Sequence, residues 1–332
     1  MKIGVFEIEE WEKEHFTKAF GEESVLFSEE HLTLDTVSLA KDCEVLSVFI
    51  YSQLTKEVLD QLPHLRYITT RSTGFDQIDI EYAKQRGIVV SNVPEYGTHS
   101  VAEHTISLLL AITRSLIPSI ERTRKGNFDL AGLAGVDLFG KTVGVIGFGN
   151  IGKHVSRIAK GLGMEVISYT NKPLPEEAET YGVTFVELPQ LLRDSDIITL
   201  HVPLTPETTH LLAQEAFSHM KKGVIILNTA RGGLIDTKSL VEALENGTVN
   251  AAGLDVLEEE CVIKEERQLL SRHFLSECDV QTQLLNHVLL TKENVLITPH
   301  NAFNSEESLH TILSTTIENI QAFLEGVPKH TV

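Results

Sequence analysis

The feature that most constrains this chain is a glycine-rich loop between a predicted strand and a predicted helix. The apolar run at residues 143–146 is followed by the pattern Gly-x-Gly-x-x-Gly, which extends from Gly147 through Gly149 to Gly152. Glycines at these positions permit a tight turn, a close approach of backbone to phosphate and close packing of helix on strand. The amide groups and the dipole at the start of the helix then face negative charge. The motif predicts a domain that binds the pyrophosphate of a dinucleotide.

The motif stands near the middle of the chain, and the 332 residues exceed the size at which a single core usually stops growing. Two domains are therefore expected. The first hundred residues alternate short strand-like runs, rich in Val, Ile, Phe and Tyr, with helical stretches, which predicts a parallel sheet with crossover helices. The strand-like runs cover residues 2–7, 44–51, 65–71 and 88–92.

A second alternating series begins at Lys141 and contains six predicted strands. Six parallel strands that open on a glycine fingerprint fit a doubly wound, Rossmann-type nucleotide-binding domain. Helices are predicted from Ser100, with Ser100 and Glu103 as a capping box, and over residues 305–324. The six strands cover residues 142–146, 165–169, 197–201, 224–228, 252–256 and 295–298.

Composition narrows the class of partner. Lys and Arg number 28 and Asp and Glu number 47, and the net charge of −19 disfavours a nucleic acid or an anionic membrane, since both attract a basic surface. No apolar run approaches the length that spans a bilayer, and the acidic start lacks a signal-peptide core. Cys43, Cys261 and Cys278 are widely spaced, and no His, Cys or carboxylate set has the spacing of metal ligands. These features predict a cytoplasmic protein with reduced thiols and no metal site.

Three segments carry residues suited to chemistry. Arg231 lies in Asn-Thr-Ala-Arg-Gly-Gly, Asp255 in Gly-Leu-Asp-Val, and His300 in Thr-Pro-His-Asn. Each lies at or just beyond the carboxyl end of a predicted strand, which is where open α/β sheets bind their ligands. All three residues are therefore candidates for ligand contacts.

With three further motifs, the chain resembles the D-isomer-specific 2-hydroxyacid dehydrogenase family, and within it most closely the D-lactate dehydrogenases. The further motifs are Arg-Ser-Thr-Gly-Phe-Asp at 71–76, Val-Ala-Glu-His at 101–104 and His-Val-Pro-Leu-Thr-Pro-Glu-Thr at 201–208. The resemblance covers nearly the whole chain and implies an α/β fold with two doubly wound domains. A flavodoxin-like substrate domain would be split between residues 1–100 and 301–332, with a Rossmann domain inserted at 101–300. The resemblance also implies a homodimer formed through the cofactor domain.

The family's catalytic trio corresponds to Arg231, Glu260 and His300. A planar guanidinium can hold the carboxylate of a 2-oxo acid by two hydrogen bonds, and a histidine can exchange a proton with the ketone oxygen near neutral pH. A carboxylate beside that histidine orients its ring. Glu258 and Glu259 compete for this last role, and the separation of 29 residues from Arg231, which matches the family, selects Glu260. The alternatives are a surface ion pair for Arg231, a solvated acidic face for Glu260 and a structural strand-end position for His300.

The resemblance also implies substrate and cofactor contacts. Substrate contacts are the loop residues Ser72, Thr73 and Gly74, the tyrosines Tyr51 and Tyr96, and Arg231 and His300 themselves. Core packing with a satisfied hydroxyl is the alternative for both tyrosines, and His104 and His201 are interpreted as structural or adjacent to the cofactor. Besides Gly147, Gly149 and Gly152, the implied cofactor contacts are Asn150, Ile151, Thr170, Asn171, Lys172, Val202, Pro203, Thr208, Thr229, Ala230, Arg231 and Asp255.

The choice between NAD and NADP depends on the end of the second Rossmann strand. An acidic residue there binds the ribose hydroxyls of NAD, but this chain has Thr170, followed by Asn171 and Lys172. An aspartate would repel a 2′-phosphate, whereas these residues would not, and Lys172 could pair with it. Similar sequences occur in NADP-using glyoxylate and hydroxypyruvate reductases. We expect NADP(H) to be accepted, alone or alongside NAD(H).

Three functions are therefore weighed. The first is a D-2-hydroxyacid dehydrogenase, with D-lactate and pyruvate as the substrate pair. The second is an NADP-dependent glyoxylate or hydroxypyruvate reductase, which the region around Thr170 favours and which Tyr51, Tyr96 and the extended segment at 258–288 oppose. The third is a non-catalytic protein that senses dinucleotides, like the related corepressors, and the intact catalytic trio opposes it.

Overall fold

The computed structural model describes residues 1–259 and 279–332, which form two compact units. The first unit combines Met1–Tyr96 with Asn304–Val332, and the second is the continuous stretch Gly97–Phe303. The domain boundaries expected from the sequence, at residues 100 and 300, lie a few residues away from these. Glu260, Cys261 and Cys278, which the sequence analysis singled out, lie outside the described residues.

The first unit is built on a five-stranded parallel sheet in the order β2-β1-β3-β4-β5. This is the flavodoxin-like order, in which the chain reverses direction beside β1. The final helix of the chain packs on this sheet, because Leu313 and Ile320 share a core with Ile3, Val45 and Tyr67. The strands are β1 (Ile3–Phe6), β2 (Val25–Ser28), β3 (Val45–Val48), β4 (Tyr67–Thr70) and β5 (Val89–Ser91), and the helices before the second unit are α1 (Glu10–Phe20), α2 (Lys56–Asp60) and α3 (Ile80–Gln85).

The second unit is built on a seven-stranded parallel sheet in the order β12-β11-β10-β9-β6-β7-β8. Because every strand pair is parallel, all seven carboxyl ends lie at one edge, and the order reverses between β6 and β9. The strands are β6 (Thr142–Ile146), β7 (Glu165–Tyr169), β8 (Thr184–Phe185), β9 (Ile197–Leu200), β10 (Val224–Asn228), β11 (Val249–Leu254) and β12 (Val295–Ile297). The helices are α4 (Thr98–Thr113), α5 (Leu116–Arg124), α6 (Asn150–Gly161), α7 (Pro175–Tyr181), α8 (Leu188–Asp194), α9 (Gln214–Ser218), α10 (Thr237–Glu245) and α11 (Val280–Thr291), and the first unit then receives α12 (Glu306–Leu324).

The fold class predicted from the sequence, two doubly wound α/β domains, is confirmed. All ten predicted strands are present, and the two that were missed, β2 and β8, lie at sheet edges. Both are short, and β2 is only half-buried along its length, so neither shows the continuous apolar run of a central strand. Edge position therefore explains both omissions.

The capping box predicted at Ser100 is wrong. Helix α4 begins at Thr98 with Gly97 as its N-cap, which places Ser100 inside the first turn. There the Ser100 hydroxyl donates to the Gly97 carbonyl oxygen at 3.3 Å, as serines within helices commonly do.

Two further predictions from the sequence concern the state of the cysteines and the presence of membrane-spanning segments. Cys43 is a buried thiol, and burial raises its pKa to about 11, which keeps it protonated at neutral pH. None of the helices in the described part of the chain is long and apolar enough to cross a membrane.

Candidate active site

The glycine loop has the shape that a dinucleotide pyrophosphate requires. Gly147 has a φ of +99°, and a Cβ there would lie 2.5 Å from the carbonyl oxygen of His201. A Cβ on Gly152 would lie 2.0 Å from the carbonyl oxygen of Gly147, so the first and third glycines are required by the fold itself. A Cβ on Gly149, the N-cap of α6, would meet nothing within 4 Å. The second glycine is therefore not needed for packing, and its bare backbone leaves the space that a phosphate would fill.

The end of β7 carries the residues expected to meet the adenosine ribose. Thr170 is half-buried, and Asn171 and Lys172 are exposed. The Tyr169 hydroxyl donates to Asn171 Oδ1 at 3.2 Å, which orders this turn. Lys172 makes no ion pair with any described residue, and Glu177 pairs with Lys153. The turn thus presents neutral and positive groups and no carboxylate.

Two of the residues expected to contact the cofactor have hydroxyls that form hydrogen bonds within the protein. Thr208 Oγ1 donates to the Pro203 carbonyl oxygen at 2.7 Å and accepts from the amide of Thr205 at 2.7 Å. Thr229 is buried, and its hydroxyl lies 2.8 Å from that of Thr105 on α4. These two hydroxyls shape the loops after β9 and β10, whereas Val202, which is half-buried, and Pro203, which is exposed, lie on the loop surface.

Arg231 stands immediately after β10 in a loop that is closely braced. Asn228 clamps this loop, since its Nδ2 donates to the Arg231 carbonyl oxygen at 2.9 Å and its Oδ1 accepts from the amide of Ala230 at 3.1 Å. Arg231 Nη1 donates to the Ala230 carbonyl oxygen at 2.8 Å, and the side chain is half-buried. A Cβ on Gly232 would lie 1.9 Å from the Leu257 carbonyl oxygen, so this glycine allows the loop to pass close to the chain after β11.

His300 stands after β12 in a left-handed backbone conformation, with a φ of +53°. Asp255, at the end of β11, holds the residues on either side of it. Its carboxylate accepts from Thr298 Oγ1 at 2.5 Å, from the amide of Asn301 at 3.0 Å and from the amide of Ala302 at 2.9 Å. Asp255 is 1% exposed, so these hydrogen bonds are made out of contact with solvent. The sequence analysis assigned Asp255 to the cofactor and missed this anchoring contact, which no local pattern shows.

The two histidines outside the trio have different environments. His104, on α4, lies 3.0 Å from Thr298 Oγ1 and 3.6 Å from Asp255 Oδ1, measured from its Nε2, and therefore extends the same network. Burial lowers the pKa of His201 to about 3, so its ring is neutral at physiological pH. Nδ1 of His201 is buried without a partner among the described residues, and its Nε2 meets Thr199 Oγ1 at 2.9 Å.

The carboxylates that compete with Glu260 have other partners. Glu258 accepts from the amide and hydroxyl of Thr237 at 3.1 and 2.7 Å, and its other oxygen lies 2.5 Å from His210 Nε2. Glu259 accepts from the amide of Asp279 at 2.9 Å, at the start of α11. Glu258 and Glu259 therefore both hold neighbouring loops in place.

The substrate residues expected in the first unit lie at the carboxyl ends of β3 and β4. Ser72 Oγ donates to the Gly74 carbonyl oxygen at 2.6 Å, and Thr73 Oγ1 donates to the Val93 carbonyl oxygen at 2.9 Å. Both hydroxyls thus fold the loop back on itself. The amides of residues 72–74 donate no hydrogen bond within the described residues. Such amides are suited to an anion such as a carboxylate.

The loop that carries Tyr51 is organised by two charged residues that the sequence analysis did not single out. Glu7, with a φ of +55°, accepts from the amides of Phe49 and Tyr51 at 2.8 and 2.7 Å and from the Ser52 hydroxyl at 2.6 Å. Arg71 is 2% exposed, and its Nη2 donates to the Glu7 carbonyl oxygen at 2.6 Å. Tyr51 itself is 36% exposed, so core packing does not account for it.

Tyr96 is the last residue of the N-terminal segment of the first unit. Its backbone carbonyl oxygen accepts from the Ser308 hydroxyl at 3.0 Å, and the residue is half-buried. This contact ties the end of the segment to α12 of the same unit.

Comparison with known proteins identifies the class to which this architecture belongs. Residues 106–302 match the family model described as the D-isomer specific 2-hydroxyacid dehydrogenase, NAD binding domain. The chain is 38% identical over 331 residues to the D-lactate dehydrogenase of Escherichia coli, covering 98% of each. The chain belongs to the D-isomer-specific 2-hydroxyacid dehydrogenase family, as the sequence motifs predicted. It is an oxidoreductase that acts on the CH–OH group of its donor and binds a nicotinamide cofactor.

Solved structures of similar proteins share the whole fold. The D-lactate dehydrogenase from Aquifex aeolicus, complexed with NAD and lactic acid, matches with a TM-score of 0.86 and 34% identity, over 98% of this chain and 96% of that one. The pyruvate reductase of Chlamydomonas reinhardtii matches with a TM-score of 0.88 and 36% identity, over 99% and 97% of the two chains.

Proposed function

We propose that the protein interconverts pyruvate and D-lactate, with Arg231, Glu260 and His300 as its catalytic residues. The observation that supports this most directly is the placement of Arg231 and His300 after β10 and β12 of one parallel sheet, with β11 between them. Strand ends two positions apart are separated by about 10 Å, a span that suits a small 2-oxo acid held by one residue and protonated by the other. The full-length similarity to D-lactate dehydrogenases supports the choice of substrate pair.

Each catalytic residue has a distinct role. The Arg231 guanidinium binds the substrate carboxylate, and the braced loop around it limits its freedom. His300 donates a proton to the ketone oxygen in reduction and takes it back in oxidation. Glu260 orients the His300 ring and favours its protonated form. The bound nicotinamide supplies or accepts the hydride.

Cofactor binding and substrate binding are assigned to different units. We assign residues 97–303 to the cofactor, with Gly147, Gly149 and Gly152 at the pyrophosphate. We assign the first unit to the substrate, with the amides of Ser72, Thr73 and Gly74 as carboxylate donors and Tyr51 and Tyr96 as pocket residues. The hydrogen bonds that the amides of Asn301 and Ala302 donate to Asp255 support a structural role for Asp255 beside its expected cofactor contact.

The cofactor choice is proposed to include NADP(H). The turn at Thr170, Asn171 and Lys172 has no carboxylate to repel a 2′-phosphate, and Lys172 has no described ion-pair partner. The same observation favours a second candidate substrate, glyoxylate or hydroxypyruvate, whose reductases carry similar sequences at this position. A cytoplasmic location and a homodimer complete the proposal.

A crossed assay tests both choices together. Turnover of pyruvate, glyoxylate, hydroxypyruvate and a bulkier 2-oxo acid is measured over a range of concentrations of each acid and of NADH or NADPH. We expect pyruvate to give the highest kcat/KM, and we expect NADPH to support turnover within a hundredfold of NADH. A higher kcat/KM for glyoxylate or hydroxypyruvate would transfer the assignment to the second candidate, and a larger preference for NADH would contradict the role of the Thr170 turn. A Thr170→Asp variant provides the matched control, since it should weaken NADPH and spare NADH.

A further inference from the structure

Three side chains with metal-binding atoms meet in the second unit although they are far apart in the sequence. His210 follows β9, Asp236 precedes α10 and Glu258 follows β11, so each belongs to a different loop. One ligand atom from each residue lies within 4.8 Å of the other two. None of the three has a role in the proposed chemistry.

Both carboxylates are held by hydrogen bonds through one oxygen. Asp236 Oδ2 accepts from the amide of Ser239 at 2.9 Å and from the hydroxyl of the same residue. Glu258 Oε2 accepts from the amide and hydroxyl of Thr237. The direction of each carboxylate is therefore fixed. The second oxygen of Glu258 meets His210 Nε2, and that of Asp236 accepts no hydrogen bond within the described residues. Metal-binding carboxylates are commonly held in this way.

The backbone of His210 is also held in place by a hydrogen bond. His210 has a φ of +52°, a conformation that residues other than glycine seldom adopt, and its amide donates to the Gly233 carbonyl oxygen at 2.8 Å. Its Nε2 lies 2.5 Å from Glu258 Oε1, and its side chain is 42% exposed, so the cluster lies at the surface of the unit.

The charge of the cluster also favours a cation. Two carboxylates within a few ångströms repel each other unless a positive charge lies beside them. In the part of the chain that the structure describes, neither Asp236 nor Glu258 has a Lys or Arg partner within 4 Å, and His210 is their one basic neighbour.

We propose that His210, Asp236 and Glu258 bind one divalent cation of the zinc, cobalt or nickel class. An imidazole nitrogen with two carboxylate oxygens suits these ions, whereas magnesium and calcium prefer oxygen ligands alone. The ion replaces the hydrogen bond between His210 and Glu258, and water completes its coordination. Asp236 ends the loop that begins at Arg231, and Glu258 lies on the loop after β11, two residues before Glu260 in the sequence. The ion would therefore link these two loops to the loop of His210 and stabilise the unit.

Cobalt binding to the whole protein tests this proposal without reference to turnover. Chain stripped with a chelator is titrated with CoCl₂ while the visible absorption of cobalt and the heat of binding are recorded. We expect one cobalt per chain, with affinity at least about tenfold lower in His210→Gln, because loss of a ligand typically costs more than loss of the groups that hold it. Affinity should also fall as the pH is lowered, since the imidazole must be deprotonated to bind.

Matched variants separate this cluster from the other histidines of the chain. His219→Gln removes another exposed histidine of the same unit, beside α9, and should bind cobalt as the wild type does. Glu258→Gln serves as the second ligand variant if His210→Gln fails to fold by circular dichroism. The proposal is overturned if the wild type binds no cobalt at about 1 mM, an affinity too weak to count as a site, or if both ligand variants bind as tightly as the wild type. A purely hydrogen-bonded cluster would give the first of these results.

Discussion

His300 has a backbone conformation that costs about 1–3 kcal/mol for a residue other than glycine. The surrounding contacts explain how it is maintained, since Asp255 accepts from the amides of the two residues that follow and from Thr298 on the other side. A buried carboxylate thus fixes the backbone of the loop that carries the imidazole. Positioning of this kind is what a proton donor requires, because proton transfer depends on hydrogen-bond geometry.

We predict that His300→Gln lowers kcat by about 10²–10⁴-fold while leaving the dissociation constant of the reduced cofactor unchanged. Glutamine can donate a hydrogen bond to the ketone but cannot transfer a proton. The measurement combines steady-state kinetics with fluorescence titration of the cofactor. His201→Gln is the matched control, because the ring of His201 is already neutral, and it should lose less than about tenfold. Near-normal turnover in His300→Gln would remove His300 from the role of proton donor.

The sequence was sufficient to single out Arg231 and His300 because each follows a buried strand in a recognisable motif. It could not show what holds them, since Asp255 and the loop of His300 are 45 residues apart and meet only when β11 and β12 pair. The cluster of His210, Asp236 and Glu258 was missed for the same reason, as ligand spacing along the chain says nothing about three loops that converge at one sheet edge.

At the scale of the element, the three glycines between β6 and α6 have two different roles. Gly147 and Gly152 are needed by the protein, because side chains there would collide with backbone atoms. A Cβ on Gly149 would meet no protein atom within 4 Å, so the missing side chain leaves room for the ligand. The sequence predicted the strand, loop and helix from a pattern within ten residues, but it could not show that Gly147 also lies against the backbone of His201.

This division predicts different outcomes for three alanine variants. Gly149→Ala should fold with an unchanged Tm and weaken dinucleotide binding by about tenfold or more, because the added methyl group occupies phosphate space. Gly161→Ala, at the other end of α6, also meets nothing within 4 Å and is the matched control. It should keep its affinity, with a gain in stability of up to about 1 kcal/mol from helix propensity.

Gly152→Ala completes the series. Its Cβ would lie 2.0 Å from the Gly147 carbonyl oxygen, so we expect a lower Tm as well as weaker binding. Thermal unfolding by circular dichroism and cofactor titration by fluorescence measure the two effects separately. Equal affinity in Gly149→Ala and the wild type would show that the loop does not approach the pyrophosphate.

At the scale of the whole molecule, the two units have separate cores and separate sheets. The first unit needs both ends of the chain, because α12 completes a core begun by β1 and β3. Its split could not be derived from periodicity and came from the family resemblance, whereas the number of most strands and their positions along the chain followed from the alternation of strand and helix patterns.

One segment of the second unit exposes several large apolar side chains. Phe128, Leu130 and Phe139, in the segment after α5, are 78%, 81% and 82% exposed, and Leu116, Ile117 and Ile120 on α5 are exposed as well. Large apolar side chains grouped in one segment usually mark a surface that another protein covers. The segment is ordered rather than loose, since Arg122 Nη1 donates to the carbonyl oxygens of Asp129 and Ala131 at 2.7 Å each.

We therefore predict that a second copy of the chain covers the segment from α5 to Phe139. Light scattering after size exclusion should give twice the chain mass of 36.9 kDa for the wild type. Leu130→Asp should shift the protein toward the single-chain mass, because a charge buried in a symmetric interface occurs twice and lacks a partner each time. Val327→Asp, at a residue of the first unit that is 62% exposed, is the matched control and should leave the mass unchanged. A wild type that elutes as a single chain at micromolar concentration would contradict the dimer, and a dimeric Leu130→Asp would assign its interface to another surface.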